Sequence, residues 1–243
     1  MPENIDEEFH EAMRSIGGLR PAEINPEAGK ALNADIVFQN ENIILEVKTL
    51  MSDPTERAEY NQSVAAIYSR WAGRPGVPII YGRRTINSKD VPREMGFELL
   101  RTLAEPIRRG VTRANNQIKQ LKVSLNMPEA HGVLLLCNAG AKTLTPHVIL
   151  DTLYHALGKR HSSINSAIFM TYGVPAHVLG VPEAVEIFQP ASRLGYEPLP
   201  EAFVVKIRNA WMQHLSYKQP VRVYSGVGVS EVLKAANSRK PQV

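Results

Sequence analysis

Cysteine is almost missing from this chain of 243 residues. Cys137 stands alone, so no internal disulfide can brace the fold and no cysteine cluster can hold structural zinc. Long apolar runs are missing too: the longest, Gly132–Cys137, is far short of the roughly 20 residues that cross a bilayer. The opening Met1-Pro-Glu-Asn-Ile-Asp-Glu-Glu is acidic and has none of the apolar centre of a secretory signal. These absences predict a cytoplasmic protein with no membrane partner. There is no low-complexity tract and no internal repeat. His147, His155 and His161 lack the four-residue spacing of a helical zinc pair. Gly226-Val-Gly228-Val-Ser lacks the lysine of a phosphate loop, and nothing around Ser162-Ser163 resembles a serine-hydrolase setting. Cys137, in the middle of an apolar run, reads as a buried thiol.

What remains is ordinary in composition. Hydrophobic residues make up 44% and charged residues 21%, the values of a folded globular domain. The net charge of +4 permits a polyanionic partner without requiring one.

Residues 33–50 carry most of the information. Two apolar runs flank the polar tetrapeptide Gln39–Asn42, the pattern of a β-hairpin. A turn centred between Asn40 and Glu41 pairs Ile36 with Leu45, Phe38 with Ile43 and Asp35 with Glu46. Because side chains alternate faces, one face is Ala34, Ile36, Phe38, Ile43, Leu45 and Val47. The other carries Asn33, Asp35, Glu46 and Lys48, with Val37 and Ile44 nearer the tip. Like charges directly across a ladder destabilise it, so two facing carboxylates ask for a cation. A surface hairpin in which Lys48 simply neutralises Glu46 is the plainer reading.

This Asp-x10-Glu-x-Lys hairpin resembles the PD-(D/E)XK nuclease superfamily. The resemblance extends over about residues 30–50 and 108–175. It includes Ala114-Asn115-Asn116-Gln117-Ile118-Lys119 and the run Gly132–Gly140, and points to an uncharacterised prokaryotic branch. It implies an α/β fold with a restriction-endonuclease-like core, a mixed β-sheet flanked by helices. It also implies a Mg2+-dependent nuclease, Mn2+ substituting, acting on DNA in preference to RNA. Asp35 and Glu46, joined by the backbone carbonyl of Val47, would hold the metal, and Lys48 would sit beside the attacking water. Related nucleases place a glutamate from the first helix near the metal; Glu8 is the first candidate here and Glu11 the second. They also project a Gln or Lys from a later helix, for which Gln117 is the candidate. The residue types suit the chemistry: magnesium takes carboxylate oxygens and polarises phosphoryl oxygens, while a lysine ammonium stabilises developing negative charge.

The order of elements is compatible with one nuclease-like domain over 1–243. Glu3–Ile16 reads as a helix whose stripe is Ile5, Phe9, Ala12, Met13 and Ile16, ended by Gly17-Gly18. Leu19–Ile24 reads as an edge strand weakened by Pro21. Residues 51–100 read as a mainly helical insertion, with a helix over Thr55–Trp71 and an extended piece at Ile79–Tyr81; a lid, a nucleic-acid-gripping arm and a homodimer surface are its open roles. Thr112–Leu125 reads as a helix leading into a strand at Gly132–Cys137. Thr145–Leu157 reads as a helix and Ser163–Tyr172 as a strand. Residues 176–243 read as an extension packed on the core, with a helix at Glu201–Leu215 and an extended piece at Val221–Tyr224. Arg108, Arg109, Arg113, Lys119 and Lys122 make the helix before the central strand basic, which suits phosphate contact or a solvated face. A non-catalytic nuclease-like module binding nucleic acid or protein is the alternative to an enzyme.

Overall fold

The computed structural model describes residues 5–27, 34–80, 90–158, 161–176, 184–193 and 195–216. Helix α1, Ile5–Arg14, buries Ile5, Phe9, Ala12 and Met13, the stripe expected from their spacing. It stops where Gly17 takes a φ of 92° and the Gly18 N–H reaches back to the Met13 carbonyl at 3.0 Å, a glycine-based helix end. The edge strand expected over Leu19–Ile24 shrinks to a single bridge between Leu19 and Val37. Pro21, with no N–H and a φ preset for a helix start, opens the one-turn helix α2, Pro21–Ile24.

The hairpin follows as β1, Ile36–Phe38, and β2, Ile43–Leu50. Its register is Ile36 to Leu45, Val37 to Ile44 and Phe38 to Ile43. The turn closes with the Asn42 N–H on the Gln39 carbonyl at 3.2 Å, and Asn42 has a φ of 54°, a left-handed conformation that asparagine accepts more readily than most residues.

Five strands make the sheet, in the order β1-β2-β3-β4-β5. Strands β3, His131–Asn138, and β4, Ser166–Thr171, continue parallel to β2, while β1 and β5, Phe188–Ser192, run antiparallel to their neighbours. The protein is therefore an α/β protein with a mixed sheet flanked by helices. Parallel neighbours need crossovers. The second link, β3 to β4, contains α6, Pro146–Leu157, whose start is capped by Thr145. The first contains α5, Glu105–Ser124, a longer helix than the Thr112–Leu125 segment expected.

Each face of the sheet has its own core. Val37, Ile44, Leu134 and Leu136 pack with Ile107, Val111, Ile118 and Leu121 of α5 and with Ile149 and Leu153 of α6. Ile36, Phe38, Leu45, Val47, Val133 and Leu135 pack instead with α1 and with Phe203, Ile207 and Trp211 of α7, Glu201–Ser216. Ala34, expected beside Ile36, packs with Val37 and Ile44, since the chain bends at Asp35 before β1 begins. The segment expected to be an added extension supplies both β5 and α7, so it completes the sheet and covers one of its faces. Val221–Tyr224 and Gly226–Ser230 lie outside the described residues, as do Asn33, Tyr81 and Arg83-Arg84.

Residues 51–100 leave the sheet after β2. A 3-10 turn at Pro54–Glu56 precedes α3, Ala58–Trp71, and α4, Arg93–Leu103. These helices share a small core of Ile67, Val91 and Met95, flanked by Tyr68, Trp71, Val77 and Leu99. The root is tied down by Asp53, which is buried. One of its oxygens accepts from the Thr143 hydroxyl and from Thr55, and the other accepts from the Thr143 N–H at 2.7 Å. Among the described residues no helix is long and apolar enough to cross a membrane.

Gly132 shows how tightly β3 is packed. A β-carbon there would lie 1.9 Å from the Ser163 carbonyl oxygen and 2.9 Å from Ile118 Cγ2. Gly132→Ala is expected to cost about 3 kcal/mol, the upper range for overpacking, by urea denaturation. A loss too small to measure would contradict this packing of β3 against the Ser163 turn.

Candidate functional site

Continuing the hairpin register by one step places Asp35 opposite Glu46, on the face of β2 that also carries Lys48. The burial is unequal. The Glu46 side chain is 0% exposed and that of Lys48 25% exposed, and the two form a direct ion pair. Glu46 Oε2 is buried and no N–H or hydroxyl donor reaches it; the polar group beside this carboxyl is that of Asp35, with which it can share a proton. Without that proton the oxygen is costly, since a buried polar atom forfeits water without replacing it.

Asp35 is anchored from the other side. Its Oδ2 accepts the Val47 N–H at 2.7 Å, taking the place of a ladder acceptor just where β1 has ended. In a strand the N–H and C=O of one residue point to the same side, so the Val47 carbonyl also faces this edge. Burial pushes the Asp35 carboxyl above the usual carboxylate range, against the pull of the Val47 N–H and of Lys48. Burial pushes Glu46 further, to about 8; the Asp35 charge pushes the same way and Lys48 opposes both. Two carboxyls in so little water hold a proton more readily than two negative charges.

The structure thus brings Asp35, Glu46, Val47 and Lys48 together and sorts the other candidates differently. The α1 acid whose charge bears on Asp35 is Asp6, whose Oδ1 accepts the Thr49 hydroxyl at 2.6 Å. Glu8 lies instead against His214, and Glu11 joins them. Asp6 is not among the sequence candidates because the resemblance points to a glutamate of this helix. The signal available was that the first turn of α1 follows Ile5 directly and is acidic at Asp6, Glu7 and Glu8.

Helix α5 crosses the site at Gly110, where an added β-carbon would lie 3.9 Å from Cβ and Cγ of Lys48. Gln117 is two turns further along, about 10 Å by helical rise, and is half-buried. Arg113 and Lys119 are exposed. Arg108 and Arg109 both pair with Glu105, and Arg108 also donates to the Arg101 carbonyl at 2.5 Å. Lys122 is half-buried, and burial lowers its pKa. The basic helix of the sequence is therefore partly neutralised by its own acid. Cys137 is buried and burial pushes its thiol up, which rules it out as a ready nucleophile.

Comparison with family models, curated proteins and solved structures finds no match to this chain. The geometry alone bears on function. A hard divalent cation suits the donor set: two carboxylates, one with an oxygen that no N–H or hydroxyl reaches, beside a backbone carbonyl.

The raised carboxyl values have a measurable consequence. Between the ordinary glutamate value of 4.5 and about 8, the folded state holds a proton that the unfolded state has released. Stability of the metal-free protein therefore falls as pH rises through this window. Melts in EDTA should show that fall, and Glu46→Gln should flatten it. Asp35→Asn should leave metal-free stability equal or higher while reducing the stabilisation by added Mg2+. Equal Mg2+ shifts in wild type and Asp35→Asn would show that the pair holds no metal.

Proposed function

We propose that this protein is a magnesium-dependent phosphodiesterase acting on nucleic acid, DNA in preference to RNA, with a restriction-endonuclease-like core of the PD-(D/E)XK type. The observation that supports it most is the buried Glu46 carboxyl set opposite Asp35 and beside Lys48. A fold that sets two buried carboxyls against each other can ionise both only at a cost, and a cation between them would remove that cost.

Asp35 and Glu46, with the Val47 carbonyl, would hold the ion. When bound, magnesium supplies a Lewis acid for a phosphoryl oxygen. Lys48 does the rest of the electrostatic work. Its side chain is a quarter exposed, so the ammonium has access to solvent and substrate while its stem packs beside Gly110. There it holds the attacking water and stabilises the charge of the pentacovalent phosphate. The water oxygen bonds to phosphorus and gives up a proton to solvent, the bond to the leaving sugar oxygen breaks, and that oxygen takes up a proton from solvent. Arg113, exposed on α5 less than one turn beyond Gly110, is the basic side chain of this helix assigned to the phosphate backbone.

One observation favours a second reading. Lys48 pairs directly with Glu46, as it would in a nuclease-like module that binds nucleic acid or protein and has no turnover. Incubation of plasmid, linear and single-stranded substrates with Mg2+ or Mn2+, with EDTA controls, separates the two.

Lys48→Met sharpens the test. It keeps the aliphatic stem and deletes the charge, so fold and metal binding should persist. Losing a preorganised charge costs on the order of 100-fold in rate or more. The variant is expected to bind nucleic acid in Ca2+ yet barely cleave it in Mg2+. Cleavage at the wild-type rate would leave Lys48 as a charge partner only and remove this mechanism.

A further inference from the structure

On the opposite face of the sheet from Lys48, α1 and α7 pack together. Glu8 and Glu11 are three residues apart on α1, a spacing that puts both carboxylates on one side of the helix. His214, in the last turn of α7, meets them. One ligand atom from each of the three lies within 4.8 Å of the other two. The contact between His214 Nε2 and Glu8 Oε2 is 2.5 Å.

The imidazole is held by the aromatics around it. Its ring stacks on Trp211, with centroids 6.1 Å apart and planes 15° apart. Trp211 is itself buried against Phe9 at 5.5 Å and Tyr172 at 5.7 Å. This packing holds Nε2 against Glu8, with Glu11 beside them. His214 and Glu8 side chains are only 17% and 21% exposed, while Glu11 is exposed and leaves an open side for solvent. Two like charges at three-residue spacing repel; the His214–Glu8 hydrogen bond offsets part of this, and a dication taking the place of that bond would offset both charges.

We infer that Glu8, Glu11 and His214 form a binding site for a first-row transition-metal dication of the zinc class, separate from the Asp35–Glu46 site. One imidazole with two carboxylates is a donor set for zinc, nickel or cobalt, whereas magnesium disfavours the nitrogen ligand. Open positions are completed by water. The ion would join the first helix described to the last, residues more than two hundred positions apart, and so clamp α7 onto the sheet.

Trp211 is a built-in reporter, since the only other tryptophan is Trp71 in the helical insertion. In the untagged full-length Trp71→Phe protein, freed of metal with EDTA and dialysed, Ni2+ is expected to quench Trp211 fluorescence saturably. Excess Zn2+ should reverse the quench and excess Mg2+ should not. Zn2+ should also raise the melting temperature. His214→Gln and Glu11→Gln should each weaken Ni2+ binding by about tenfold or more, since even changes in the surroundings of a ligand cost that much. Glu11→Gln removes an exposed carboxylate and so keeps the test independent of any folding defect at His214. Asp35→Asn should leave the quench unchanged, which separates this site from the one proposed for phosphodiester hydrolysis. Quenching that does not saturate, that survives Glu11→Gln intact, or that disappears with Asp35→Asn would overturn the assignment.

Discussion

Strand β2 is paired on both edges and covered on both faces, and that enclosure governs what its side chains can do. Ile43, Leu45 and Val47 go to the core under α1 and α7, while Ile44 and Leu50 go to the core under α5 and α6. Both faces are shielded from water, so a charged group on β2 cannot behave as it would on a surface hairpin. Glu46 is fully enclosed, Lys48 is a quarter exposed, and Asp35 reaches β2 only because β1 stops one residue short of it. The unusual proton affinity of the carboxyl pair comes from this enclosure before any neighbouring charge is considered.

The same enclosure explains why the polar face looks incomplete. An ion pair in low dielectric recovers the cost of desolvation only when every remaining lone pair is satisfied. Lys48 satisfies one oxygen of Glu46 and leaves the other without an N–H or hydroxyl donor. The Val47 N–H satisfies one oxygen of Asp35. The two carboxyls also meet each other directly, so a proton held on one can bridge to the other.

Much of this was legible from residue order. The register of the hairpin follows from its tetrapeptide turn and two apolar runs, because an even loop fixes which residues face each other. Helix α6 is readable from Thr145-Pro146 and the apolar spacing after it, and α1 from its stripe and paired glycines. Other features depend on contacts between distant segments. Glu8 borders the apolar stripe of α1, but what that stripe packs against is α7, about two hundred residues later, so Glu8 meets His214 rather than Asp35. The basic count of α5 overstated its free charge because Glu105 lies one turn before Arg108 and Arg109. Pro21 turned a nominal strand into a helix start, a local rule that outweighed the apolar pattern. The fifth strand, with Pro190 in it, carried too weak a pattern to be recognised apart from its partner β4.

The junction between α4 and α5 gives the helical insertion a mechanical connection to the carboxylate pair. Only Ala104 separates Leu103 from Glu105, and Ala104 is itself buried, so the two helices meet at a packed elbow with no slack. Gly110, about one and a half turns beyond that elbow, rests beside Lys48. At the other end of the insertion, Asp53 is fastened to Thr143. The insertion is thus rooted at Asp53 and at the Ala104 elbow, and its second root continues into the turn of α5 that lies against the lysine.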